Sequence, residues 1–233
     1  MVSAIIVAAG QGSRMQGAQR KQYLSLAGLP ILTRTLKVFD RCEPVRVIIL
    51  VVPQDDIDFC RANILEPAEL TKEVRLTPGG EHRQDSVFNG LKNVDANCSI
   101  VVIHDGVRPF VRNEQLIACI NGALESGACI MGVPANETIK QIDSSGRIIQ
   151  TLSREDIWLA QTPQAFRHEL ILRAHELARK DGLYATDDAA LVERLGATVK
   201  ILQGSRTNIK ITINEDLEMA QWLHAVDTHT SRS

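Results

Sequence analysis

The chain has 233 residues, 44% of them apolar, with 26 basic and 28 acidic side chains and a formal net charge of -2. That length suits one α/β domain with a full core, and the charge balance argues against nucleic acid as a partner. No apolar run reaches membrane-spanning length, so no membrane partner is expected.

The run Ala4-Ile5-Ile6-Val7 reads as the first strand, and it empties into the loop Ala8-Ala9-Gly10-Gln11-Gly12-Ser13-Arg14-Met15, with Lys21 beyond. Small residues let a ligand lie against the backbone, whose N–H groups can hold phosphate oxygens. Arg14 and Lys21 add positive charge where phosphates would sit. The dinucleotide fingerprint is excluded because Met15 stands where its third glycine belongs. The P-loop is excluded because Ala18-Gln19 follows Gly17 in place of Lys-Ser/Thr. A plain glycine-rich turn between strand and helix is the competing reading.

A helix follows Pro30, with Ile31, Leu32, Thr35, Leu36 and Phe39 on one face. Val45 to Val52 reads as a strand buried on both sides, and a polar helix covers roughly 55–64. Val74 to Leu76 is a short strand. Gly79-Gly80-Glu81-His82-Arg83-Gln84-Asp85-Ser86 then opens a helix carrying Val87, Leu91 and Val94. A helix N-terminus attracts anions, with Ser86 placed to meet a ligand and Glu81 or Asp85 serving as a cap. Ser99 to Ile103 is a strand stopping at His104-Asp105-Gly106-Val107-Arg108-Pro109. There Asp105 can hold a hydrated Mg²⁺ and Arg108 a phosphate, or the two can form a self-contained turn.

Leu116, Ile117, Ile120 and Leu124 mark the next helix, and Cys129 to Val133 the next strand. The alternation breaks at Pro134 to Ser153, where apolar residues flank Asp143-Ser144-Ser145-Gly146 in a hairpin. This reads as an inserted β-arm that needs something to pack on, such as another subunit. Helices near 168–180 and 187–195 follow, with Thr186-Asp187-Asp188 a possible N-cap. Strands at Thr198 to Leu202 and Asn208 to Ile213, and a terminal helix from Glu215 to Val226, complete the reading. In the last strand Lys210 shares a face with Asn208 and Thr212, which can be a solvent face.

The pattern implies βαβ units and a Rossmann-like, mostly parallel sheet with helices on both faces. Ligands bind beyond the carboxyl ends of such strands, where the loops at 8–15, 77–86 and 104–109 converge. Residues 1–233 are expected to form a single domain, with the arm at about 134–153. The five cysteines form no Cys-x-x-Cys pair and the histidines no zinc-type cluster; with a core strand read at its very start, the chain is expected to carry no signal peptide. A reducing, cytoplasmic location follows as an expectation.

The first loop with Lys21-Gln22-Tyr23 resembles the signature of sugar- and alditol-phosphate nucleotidyltransferases. Together with His104-Asp105-Gly106-Val107-Arg108-Pro109, Gln161-Thr162-Pro163-Gln164-Ala165-Phe166, Thr186-Asp187 and Asn208-Ile209-Lys210-Ile211-Thr212, it is similar to the 2-C-methyl-D-erythritol 4-phosphate cytidylyltransferase branch. The resemblance implies CTP and methylerythritol phosphate as substrates, Mg²⁺ or another divalent cation, and a homodimer built by the arm. It implies that Ala8, Ala9, Gly10 and Gly12 line CTP, and that Arg14, Lys21 and Lys210 stabilise charge at the α-phosphate. Gly80, Glu81 and Ser86 would meet the cytidine and ribose. Glu81 stands where the family often has Asp, and Gly106 where it commonly has Ala, with a backbone contact to CTP expected at Gly106. Asp105, Arg108 and Thr186 would bound the substrate pocket, with Thr138 and Arg154 reaching it across a dimer interface. A ribitol-5-phosphate cytidylyltransferase is the related alternative, which Trp158 and Thr207-Asn208-Ile209-Lys210 mildly disfavour. A nucleotide-binding regulator is the non-enzymatic alternative; loss of Lys21, Asp105 or Lys210 would mark it, and all three are present. A stand-alone chain is expected, not a fusion to the cyclodiphosphate synthase of the same pathway.

Overall fold

The computed structural model describes residues 1–10 and 20–230, with side chains through residue 226. In chain order the strands are β1 (Val2–Val7), β2 (Ser25–Leu26), β3 (Leu29–Pro30), β4 (Val45–Val52), β5 (Glu73–Pro78), β6 (Ile100–Asp105), β7 (Ala128–Pro134), β8 (Ile139–Ile142), β9 (Ile148–Leu152), β10 (Trp158–Arg167) and β11 (Lys200–Gln203). The helices are α1 (Ile31–Arg41), α2 (Ile57–Cys60), α3 (Arg83–Leu91), α4 (Asn113–Ser126), α5 (His168–Lys180), α6 (Asp188–Arg194) and α7 (Asn214–Thr230).

Side chains of a strand alternate between the faces of its sheet. Ala4 and Ile6 of β1 point to one face, with α1 (Leu32, Leu36, Phe39) and α4 (Leu116, Cys119, Ile120). Ile5 points to the other, with α3 (Val87, Leu91), α5 (Ile171, Ala174) and α6 (Leu191, Val192). Burying each such large aliphatic or aromatic side chain contributes roughly 1.5–3 kcal/mol before conformational entropy is set against it. The result is one seven-stranded sheet in the order β11-β7-β10-β6-β1-β4-β5, covered by helices on both faces. Neighbours pair in parallel except at β10, which runs against both β6 and β7. Among the described residues, no helix is long and apolar enough to cross a membrane.

One strand has no counterpart in the sequence reading, and two expectations need correction. Strand β10 was not anticipated, because Pro163 in the middle of a run argues against a central strand. The sheet accommodates it by an irregularity: Gln161 pairs with Met131 and Gln164 with Ile130, so Thr162 and Pro163 fall outside the ladder. The strand expected at Asn208 to Ile213 is an irregular segment. Its alternation survives without a ladder, since Ile209 and Ile211 join Leu26, Ile31 and Val107 in a third apolar cluster. The polar helix near 55–64 is a composite, in which α2 widens over Arg61–Leu65 and tightens over Glu66–Ala68.

Residues 139–152 form a two-stranded hairpin. Strands β8 and β9 pair antiparallel, and Asp143 Oδ1 accepts the Ser145 and Arg147 amides at 2.9 and 3.0 Å to close the turn. Ile142, Ile148 and Ile149 remain 57–61% exposed there, so the arm's apolar surface has no cover among the described residues.

Candidate active site

Parallel pairing brings the ends of β1, β4, β5 and β6 to one edge. Val7 stands beside Asp105 in the register. The Ala8 amide donates to Val51 O (2.7 Å) and the Gly79 amide to Val52 O (2.7 Å). A Cβ on Gly79 would lie 2.3 Å from Ala9 Cβ, so glycine is what lets these two loops touch. Between the loops lies a cleft of about 440 Å³, lined by Ala8, Ala9, Gly10, Lys21, Gly80, Glu81, Ser86, Asp105 and Lys210. A recess of about 260 Å³ adjoins it and adds Arg108, Thr162 and Thr186 to the wall. The two cavities share Arg83, Asp105 and Lys210.

Asp105, at the end of β6, organises the junction. Its Oδ2 meets Lys210 Nζ at 2.8 Å and Arg108 Nε at 3.6 Å, while its Oδ1 accepts from Arg83 Nε at 3.0 Å. Burial works against its charge, but Arg83, Lys210 and Arg108 prevail and hold the carboxyl well below the usual carboxylate range. Three cations share two carboxylates, Asp105 and, through Arg83, Asp188, which leaves positive charge in excess beside the cavities, as an anionic ligand requires.

Neighbouring elements hold these groups. Gln22 Nε2 donates to Ala8 O (2.8 Å), and Arg20 and Tyr23 both bind Asp56, anchoring the turn that carries Lys21. Ser86 Oγ accepts from the Gly80 amide and donates to His82 O, both at 3.1 Å. The Asp105 amide donates to Thr162 Oγ1 (3.1 Å), and Asn208 Nδ2 donates to Thr162 O (2.9 Å). Arg108 donates to Asn208 O at 2.7 Å, so the segment bearing Lys210 is tied to β10 and to the 105–112 loop.

Beneath Asp105, fully buried His104 places Nε2 3.0 Å from Arg108 O. Burial lowers its pKa to about 4, so it stays neutral in the fold. An unfolded histidine binds its proton near pH 6.5, so between pH 6.5 and 4 the unfolded state binds more protons and stability rises with pH. His104 should therefore contribute up to about 3 kcal/mol that is present above pH 6.5 and lost as pH falls toward 4. Asp105 and Asp188, whose pKa values are lowered, lose their stabilisation only below the usual carboxylate range and leave this window clear. Denaturant midpoints at pH 7 and pH 5 should fall further in wild type than in His104→Asn. Equal losses would contradict the assignment.

Of the residues singled out in the sequence, the structure gathers Ala8, Ala9, Gly10, Lys21, Gly80, Glu81, Ser86, Asp105, Arg108, Thr186 and Lys210 around the two cavities. Gly12 and Arg14 lie outside the described residues. Gly106 lines neither cavity; its amide donates to Val7 O (2.9 Å) and its carbonyl accepts from Thr35 Oγ1 (2.9 Å). Thr138 and Arg154 are exposed beside the arm and line neither cavity of their own chain. Of the two capping candidates at α3, Asp85 takes the role, accepting the His82 amide at 3.2 Å. Asp187 caps α6 by accepting from Ala190 N. Sequence reasoning gave no role to Arg83, Gln22 or Thr162. Arg83 stood in a quoted motif, but its partners lie far away in sequence.

Among the described residues, no group of three or more His, Cys, Asp or Glu side chains is arranged to hold a metal. Both Asp105 oxygens already face cationic side chains. This donor set fits a divalent ion in one form: held chiefly by the oxygens of a bound polyphosphate, with Asp105 the carboxylate at hand.

The family model described as IspD, 2-C-methyl-D-erythritol 4-phosphate cytidylyltransferase, matches residues 2–225. A protein of that name from Syntrophus aciditrophicus is 50% identical over 220 residues, covering 94% of both chains. Another from Pelotomaculum thermopropionicum is 45% identical over 220 residues, covering 94% of this chain and 92% of its own. The crystal structure of 4-diphosphocytidyl-2C-methyl-D-erythritol synthase from Anaerococcus prevotii superposes with a TM-score of 0.87 at 34% identity, over 96% of both chains.

Proposed function

The chain belongs to the 2-C-methyl-D-erythritol 4-phosphate cytidylyltransferase family, and from that premise we propose how its residues divide the work. It is a nucleotidyltransferase that joins CTP and 2-C-methyl-D-erythritol 4-phosphate. The products are 4-diphosphocytidyl-2-C-methyl-D-erythritol and pyrophosphate, in non-mevalonate isoprenoid biosynthesis. The observation that carries the division of labour is the cation cluster on Asp105, where a large cleft meets a smaller recess.

CTP occupies the cleft. Backbone from Ala8 to Gly10, Gly12 and Gly80, with Glu81 and Ser86, holds the nucleotide. Arg14, Lys21 and Lys210 neutralise charge at the α-phosphate. Methylerythritol phosphate occupies the recess between Arg108 and Thr186, and its phosphate oxygen attacks the α-phosphorus in line. That oxygen is already ionised, so no strong general base is required, and catalysis is alignment plus charge neutralisation. A divalent cation such as Mg²⁺, which Asp105 and phosphate oxygens would hold, would supply further neutralisation of phosphate charge.

The uncovered isoleucines of the arm support a homodimer, in which Thr138 and Arg154 reach the partner's recess. The described cysteines are all free and buried, which supports a reducing, cytoplasmic setting. Two apolar clusters on opposite faces of one sheet, with a third against the 209–211 segment, support a single domain from 1 to 233 with the arm as its insertion.

The substrate assignment is tested by pyrophosphate release with CTP and Mg²⁺, offering methylerythritol phosphate or ribitol 5-phosphate in turn. Faster turnover of methylerythritol phosphate is expected. Equal or faster turnover of ribitol 5-phosphate would overturn the substrate while leaving the chemistry intact.

A further inference from the structure

Arg83 opens α3 and faces two carboxylates from distant elements. Its Nε donates to Asp105 Oδ1 at 3.0 Å, and a terminal nitrogen donates to Asp188 Oδ2 at 2.7 Å. Asp188 opens α6 and is 1% exposed. Its second oxygen faces Nε2 of fully buried His175, on α5, at 3.0 Å. The second oxygen of Asp105 faces Lys210 at 2.8 Å. A continuous chain of charged and polar groups, His175–Asp188–Arg83–Asp105–Lys210, thus runs from the helix layer to the junction of the cavities.

Each carboxylate gives one oxygen to Arg83 and the other to its next neighbour. A buried carboxylate without such a partner is strongly disfavoured, so Asp188 and Arg83 fix one another. The planar guanidinium fork spans two acids at once, which a lysine ammonium at the same place cannot do with the same geometry. A tie between α3 and α6 needs only the Arg83–Asp188 bond. The second bond goes to the carboxylate that seats Lys210. Without it, Asp105 Oδ1 loses its partner, and the carboxylate is free to turn toward Arg108, whose Nε already lies 3.6 Å away.

We propose that Arg83 is a positioning residue for nucleotidyl transfer: braced by Asp188 and His175, it orients Asp105 and so sets Lys210 at the reacting phosphate. The proposal rests on the reaction and the Lys210 role stated above. Asp188 and His175 line neither cavity, so they act on the reacting groups indirectly, with Arg83 as the side chain that joins Asp188 to Asp105.

The test is steady-state kinetics of wild type, Arg83→Lys and Asp188→Asn, with folding checked by circular dichroism and thermal melting. Both folded variants should lose at least tenfold in kcat while KM for CTP stays within threefold, because the backbone contacts to the nucleotide are untouched. A kcat within threefold of wild type in either folded variant would overturn the proposal. So would a raised KM for CTP with kcat unchanged, since that marks direct binding. Failure of both variants to fold would assign the chain to stability alone and overturn it as well. A wild-type protein without turnover would instead signal failure of the underlying reaction, a separable result.

Discussion

Lys210→Ala should lower kcat by roughly 10²-fold or more, the scale seen when one preorganised donor is removed from a reacting anion. The Lys210 ammonium lies 2.8 Å from Asp105, on the wall shared by cleft and recess. Charge on the α-phosphate rises as the incoming oxygen bonds, so the cation is worth more in the transition state than in the ground state. KM for CTP should therefore move much less than kcat. The variant should stay folded, because Asp105 retains Arg83 and Arg108 as counter-ions. Lys21→Ala, which removes a second cation from the lining of the cleft, should behave alike. A kcat within a few-fold of wild type in both folded variants would remove the catalytic role.

The second large effect is restoration of activity. Arg154 sits beside the arm, lines neither cavity of its own chain, and donates to Asn136 O. If it serves the partner's recess, Lys21→Ala and Arg154→Ala are each inactive alone but complement one another after subunit exchange. A mixed dimer then has one site with both defects and one with neither. Random exchange at equal concentrations makes half the dimers mixed, so about a quarter of wild-type activity should return. If each chain uses its own Arg154, every site in a mixed dimer carries one defect. No recovery despite exchange shown by mass would then refute the shared site.

Much of this arrangement was legible in the chain. The apolar runs of β1, β4 and β6 specify a sheet buried on both faces, and the 3.6-residue period of α1 specifies its inner face. Asp105 and Arg108 were legible because they follow a buried strand. Arg83 was not, since its partner Asp188 is 105 residues away and only packing of α3 against α5 and α6 joins them. Strand β10 was hidden by Pro163, which a central strand tolerates only because the ladder skips it. At Asn208 to Ile213 the alternation correctly sorted Ile209 and Ile211 from Lys210 but misnamed the backbone. Side-chain anchors and the hydrogen bond from the Ile211 amide to Val107 O replace a ladder there.

The most direct measurement is a competition read by ³¹P NMR. Equal methylerythritol phosphate and ribitol 5-phosphate are mixed with limiting CTP, Mg²⁺ and the wild-type protein. The expected spectrum shows pyrophosphate together with one new unsymmetrical diphosphate, that of cytidyl-methylerythritol, while the ribitol 5-phosphate resonance keeps its intensity. A diphosphate of ribitol as the major product, or consumption of CTP with no new diphosphate ester, would contradict it.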